Sequence, residues 1–108
     1  MVTRPDEAAR NRRAFVTVAR SLAQFLRDHD EKRWSGSIAT LAERAEAAGD
    51  GDDIRQVASQ TLRLFGGMGS LNDVMLPVDG SYPREVNARL DALTSELYTA
   101  AHALIPSR

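Results

Sequence analysis

"VNARLDALTSELYTAAHAL", residues 86–104, is the stretch that decides the fold class. Val86, Leu90, Leu93, Leu97, Ala100 or Ala101, and Leu104 recur at steps of three and four. A strand would place apolar residues at every second position, whereas this spacing puts them on one side of a helix. Ser81 is expected to cap that helix, Pro83 to lie in its first turn and Pro106 to end it. The stripe is a heptad-like seam. It suits either a coiled-coil contact between two copies of the chain or the core of a bundle. The rest of the sequence decides between these.

Three more amphipathic segments precede the seam. The first is expected over residues 5–28, with Phe15, Val18, Ala19, Leu22, Phe25 and Leu26 forming one stripe. Thr3 and Asp6 resemble a capping box ahead of it, and "DHDEKR", residues 28–33, breaks it. The second runs from a cap at Ser35 to about residue 48, with Ile38, Leu41, Ala42 and Ala45 inward and Trp34 stapling its start. Gly49 is its expected left-handed stop. The third starts at Asp52 or Asp53, whose carboxylates oppose the helix dipole, and carries Ile54, Val57, Ala58, Thr61, Leu62 and Phe65. Four such segments predict an all-α four-helix bundle, residues 1–108 as a single helical domain, with a long ordered Gly-rich loop between helices 3 and 4. The seam then belongs to the core, and a homodimer through helix 4 is the alternative.

Composition narrows the function classes. The chain has no cysteine, which excludes disulfides, thiolate zinc sites and thiol catalysis. Net charge is −1, against broad nucleic-acid binding. No apolar run reaches the roughly 18 residues of a membrane span, and the first residues lack the apolar stretch of a secretory signal. A cytoplasmic location is therefore expected. Charge is uneven: residues 1–33 carry eight basic and five acidic side chains, residues 34–108 six and ten. Arg10, Arg12, Arg13 and Arg20 are the densest basic cluster, either a solvated helix face or a patch for an acidic partner.

The remaining feature is "RLFGGMGSLNDVMLP", residues 63–77, with Gly66, Gly67 and Gly69 within four positions. Gly66 is placed as the C-cap of helix 3. Met68 and Leu71 are expected to point inward, Asn72 and Asp73 to turn the backbone, and "DVMLPV" to lie extended on the bundle. A phosphate loop would need a lysine and a preceding strand, and a dinucleotide loop a third spaced glycine. Ser70 lacks the G-x-S-x-G context, and the two histidines, His29 and His102, have no metal-pair spacing. Asp50, Asp52 and Asp53 lack the Glu that an EF-hand places at its twelfth position, where Thr61 stands. No catalytic, cofactor-binding or metal-binding set is filled, so no enzyme, cofactor or metal is expected.

Phe65, Gly66, Gly67, Met68, Gly69, Ser70, Asn72 and Asp73 form a GGMGS-x-ND signature after an aromatic helix end. It resembles the signature of a family of short bacterial proteins of about this length. That resemblance implies a small helical, immunity-like protein found near secreted bacterial toxins, and no catalytic residues. The expected function is protein binding, with a toxin domain as partner. Gly66, Gly67, Met68, Gly69, Ser70, Leu71, Asn72 and Asp73 form the partner-binding or structural loop, and Arg10, Arg13 and Arg20 a charged rim. Two alternatives stand beside it. One is a ligand-binding or hydrolytic module centred on Ser70, Asn72 and Asp73, with His29 or His102 in reach. The other is the homodimer through helix 4.

Overall fold

The computed structural model describes residues 5–49, 51–65, 71, 74–81 and 83–105, with the side chains of residues 5 and 6 left aside. Four helices follow one another: α1 (Pro5–Asp28), α2 (Lys32–Ala47), α3 (Gly51–Arg63) and α4 (Arg84–Ala103). The all-α four-helix bundle expected from periodicity is the fold. α1 packs along α2 and α4, and α3 closes the ring between those two. At 1.5 Å per residue α1 alone is about 36 Å long, and the molecule measures 48 × 23 × 21 Å.

The apolar stripes meet in one core. Phe15, Ala19, Leu22 and Leu26 of α1 are fully enclosed, with Ile38 and Ala45 of α2 and Val57 and Ala58 of α3. The α4 seam completes it through Leu90, Leu93, Leu97, Ala101 and Leu104, while Val86 is half-buried. The seam therefore faces the chain's own interior. Val16 and Ala23 are also buried, which widens the α1 stripe because both α2 and α4 lie against it. Phe25 is only half-buried, and its ring meets His29.

The helix ends differ from expectation in instructive ways. α1 stops in a Schellman motif: the Glu31 N–H donates to the Leu26 carbonyl (2.8 Å) and the Asp30 N–H to that of Arg27 (3.1 Å). Asp30 occupies the left-handed position, φ 61°, that glycine usually fills. Glu31 then serves directly as the N-cap residue of α2. Ser35 is thus inside α2 and buried, its Oγ donating to the Lys32 carbonyl at 3.0 Å, and it caps nothing. Trp34 likewise sits within the first turn, half-buried, with Arg33 over its ring.

Gly49 is not the left-handed stop. α2 ends at Ala47, and Ala48 (φ −59°, ψ 127°) turns the chain out in an extended conformation. The Gly49 N–H is held by Asp53 Oδ2 at 3.4 Å instead. Asp52 and Asp53 lie in the first turn of α3, where their charge opposes the helix dipole. The capping pair Thr3 and Asp6, the proposed cap Gly66 and the terminator Pro106 lie outside the described residues or side chains.

Ser81 does not cap α4. Val78 and Ser81 pair across a two-residue turn, with N···O distances of 2.8 and 3.1 Å. Asp79 (φ 52°) and Gly80 (φ 81°) supply the two positive φ values that such a hairpin turn requires. Ser81 Oγ donates to the Val78 carbonyl (3.1 Å), so the hydroxyl closes the turn. Pro83 becomes the N-cap residue of α4, and its carbonyl accepts from the Asn87 N–H at 3.1 Å.

Candidate interaction face and the connection that frames it

The chain between α3 and α4 is long because α3 ends in the wrong place for a short loop. The Phe65 ring lies 5.1 Å from that of Tyr98, in the last third of α4. Tyr98 lies fourteen residue steps along the helix from Arg84, about 21 Å at helical rise. The connection has to cover that distance before α4 can begin.

It does so in two parts. The Leu71 N–H donates to the Leu64 carbonyl at 2.7 Å, which ties Leu71 to the end of α3. Leu71 is 1% exposed, the inward anchor that the sequence suggests, and so a structural member of the loop. Onward from there residues 74–77 have no regular structure, yet Leu76 is also 1% exposed.

A single side chain holds that extended part. The Leu76 N–H donates to Asn87 Oδ1 (2.7 Å), and Asn87 Nδ2 donates to the Leu76 carbonyl (3.1 Å) and the Pro83 carbonyl (3.0 Å). The buried amide gives Leu76 the two bonds that a neighbouring strand would give it. An unpaired buried backbone group would otherwise cost about 1–3 kcal/mol. Among the described residues no buried side-chain polar atom lacks a partner. Sequence reasoning missed Asn87. Its signal is an amide beside the apolar seam, where helix interiors rarely place one without a bond to make.

The outer side of α4 carries what the core does not use. Tyr98 is 44% exposed, Ile105 just past the helix end is 40% exposed, and the His102 ring stacks edge-on against Tyr98 at 4.6 Å. Phe65, Tyr98 and His102 thus form a row of rings that starts at the residue before Gly66. A shallow depression beside the row is lined by Phe65, Ser95, Tyr98 and Thr99. Tyr98 and Ile105 were also missed. They occur at helical spacing with His102, flanking the seam rather than on it.

The expected loop residues Gly66, Gly67, Met68, Gly69, Ser70, Asn72 and Asp73 lie outside the described residues. The expected charged rim divides. Arg20 turns to α2 and pairs with Glu46 at 2.6 Å, both side chains more than half exposed, while Arg10 and Arg13 line the groove between α1 and α4. His29 Nδ1 lies 2.9 Å from the Phe25 carbonyl, at the α1–α2 junction. Asp52 pairs with Arg55 and Asp53 accepts from Gly49, so neither forms an acid/base couple with the other. Among the described residues no cluster of three or more His, Asp or Glu is placed to hold a metal ion, and no helix is long and apolar enough to cross a membrane.

Comparison with known proteins places the chain in a family. Residues 27–84 match the family described as a domain of unknown function, DUF6966. That is more than half of the 108 residues. The chain belongs to the DUF6966 family. The matched span covers the end of α1, all of α2 and α3, the connection and the first residue of α4. Phe65 and the GGMGS-x-ND signature fall inside this DUF6966 span, whereas Tyr98, His102 and the α1–α4 groove residues fall outside it. No curated protein and no solved structure matches the chain.

Proposed function

We propose that this DUF6966 protein is a small non-enzymatic binding domain that occludes a partner protein, in the manner of an immunity protein against a bacterial toxin. The observation that carries the reading is the ring row in which exposed Tyr98 and His102 continue from half-buried Phe65, the residue before Gly66. Aromatic side chains at the centre of a contact supply large, stiff anchors, and Tyr is enriched among the residues that dominate binding. A partner of ordinary size would cover roughly 800 Å² of the 6962 Å² surface. The ring row, with the depression lined by Phe65, Ser95, Tyr98 and Thr99 beside it, lies on such a face. The immunity-type role draws on the resemblance of the GGMGS-x-ND signature, and a cytoplasmic site of action goes with it.

The test is co-expression of the full chain with the product of the neighbouring gene. Protection of the host from that product, and a one-to-one complex on gel filtration, are the expected results. Tyr98→Ala should abolish protection while leaving the circular dichroism spectrum unchanged, because the side chain is 44% exposed. If the neighbour's product neither harms the host nor binds, the immunity reading fails. If it binds and Tyr98→Ala has no effect, the ring row is not the contact.

A second reading has one observation in its favour. His102 stands in the row that begins next to Gly66, the only described histidine on that side. A hydrolytic module would lose turnover of an activated ester on His102→Gln, and a binding domain would show no turnover to lose.

A further inference from the structure

The groove between α1 and α4 carries charged side chains on both of its walls. Arg10 and Arg13 stand on the α1 wall, one turn apart. Arg89 and Glu96 stand on the α4 wall, two turns apart, about 10.5 Å along the axis. All four side chains are exposed. Among the described residues the ion pairs are Arg20–Glu46 and Arg55–Asp52, so none of the three groove arginines has a described carboxylate partner. The floor is short and mixed: Ala14, Thr17 and Ser21 are exposed small residues of α1, with Leu93 buried beneath. The space is about 540 Å³ and open along its length.

We infer that this groove docks an acidic amphipathic helix of a partner protein. The inference rests on the protein-binding reading and adds the chemistry of the partner. Two observations select a helix. The walls are themselves two helices, and small side chains between them let a third backbone approach. The lining contains no aromatic side chain, whereas single-stranded nucleic acid is usually held on stacking platforms. Charge sets the pattern. The docked helix presents two carboxylates one turn apart to Arg10 and Arg13. Towards α4 it presents a carboxylate to Arg89 and a cation to Glu96, seven residues apart. Steering by the arginines makes association fall with salt. Arg10, Arg13 and Arg89 all lie outside the family-matched span 27–84.

The experiment is a titration of the isotope-labelled full chain with a stapled 18-residue helix, followed by amide chemical shifts. The probe carries a leucine–alanine stripe flanked by glutamates, with one lysine placed to meet Glu96. The expected result is shifts centred on Ala14, Thr17, Ser21 and Leu93, with affinity falling severalfold between low and physiological salt. A triple variant Arg10→Glu, Arg13→Glu, Arg89→Glu should bind at least tenfold more weakly. Its thermal melt should be unchanged, since exposed substitutions of this kind move stability little. Glu96→Lys should weaken binding, and changing the probe's lysine to glutamate should restore it. Equal binding of a probe with lysines in place of glutamates would overturn the inference. So would shifts confined to other faces, no binding at all, or displacement of the probe by a twelve-residue oligothymidine at lower concentration. None of these outcomes bears on the co-expression test, which reads the ring row with the native partner.

Discussion

The α1–α2 hairpin and the connection spanning residues 64–83 both bury leucines completely, yet they are held by different means. In the hairpin Leu22, Leu26 and Ile38 are enclosed by a stripe that repeats turn after turn. Each contact has neighbours of the same kind. In the connection Leu71 and Leu76 are enclosed singly, and three points fix the path: the Leu64–Leu71 bond, the Asn87 amide and the Asp79–Gly80 turn. Repetition makes the first region tolerant of small errors in detail. The second depends on particular atoms. A region built from particular atoms can be aimed, as a segment beside the proposed contact surface must be.

The largest effect should come from the hairpin. Leu22→Ala removes a fully enclosed side chain and should cost about 3–5 kcal/mol. Denaturant melts would show one cooperative transition at a lower midpoint. A biphasic melt would mean that the hairpin and the rest are separate units.

Asn87→Ala should cost about 2–3 kcal/mol, because Leu76 loses a partner for both of its backbone groups. The loss should be local first, with faster hydrogen exchange at the Leu76 amide before the α1 amides respond. Asn87→Asp should be worse than alanine, since a carboxylate oxygen would face the carbonyls of Leu76 and Pro83. A harmless Asn87→Asp would break the contrast between the two regions.

Gly80→Ala places a Cβ at φ 81° and should cost about 1 kcal/mol through the turn alone. The space around that position is open, so the penalty is conformational. Asp30→Gly acts at the matching point of the hairpin, where an aspartate holds φ 61°. It should stabilise the chain by about 0.5–1 kcal/mol, seen as a rise of a few degrees in Tm. A loss of stability there would show that the Asp30 side chain itself supports the turn.

The legibility of the two regions follows the same division. The extent of the first helix to Asp28 is readable from its stripe and the polar break after it, and the seam positions Leu90, Leu93, Leu97 and Leu104 are readable as core. Caps were not. Ser35 looked like a cap because its residue type favours one. The Schellman turn ahead of it had already delivered Glu31 as the start of α2, and whether that turn forms depends on how α1 and α2 pack. Gly49 looked like a left-handed stop, but the chain leaves α2 extended, and Asp30 carries the left-handed angle one helix earlier. Ser81 has a cap's residue type, but the Asp79–Gly80 turn beside it pairs Ser81 with Val78 and takes its hydroxyl. Of the expected rim only Arg10 and Arg13 share a groove, because Arg20 lies close enough to α2 to reach Glu46.

What the sequence by itself determined is the set of four amphipathic helices and the single core they require. Helical period is a local property, and an apolar stripe of three or four turns has no stable alternative to burial. Only the tertiary structure decided the path between α3 and α4, the bonds of Asn87 and which side of α4 stays open with Tyr98 and His102. Each of these depends on where separate helices end up beside one another, and no spacing within one segment encodes that distance.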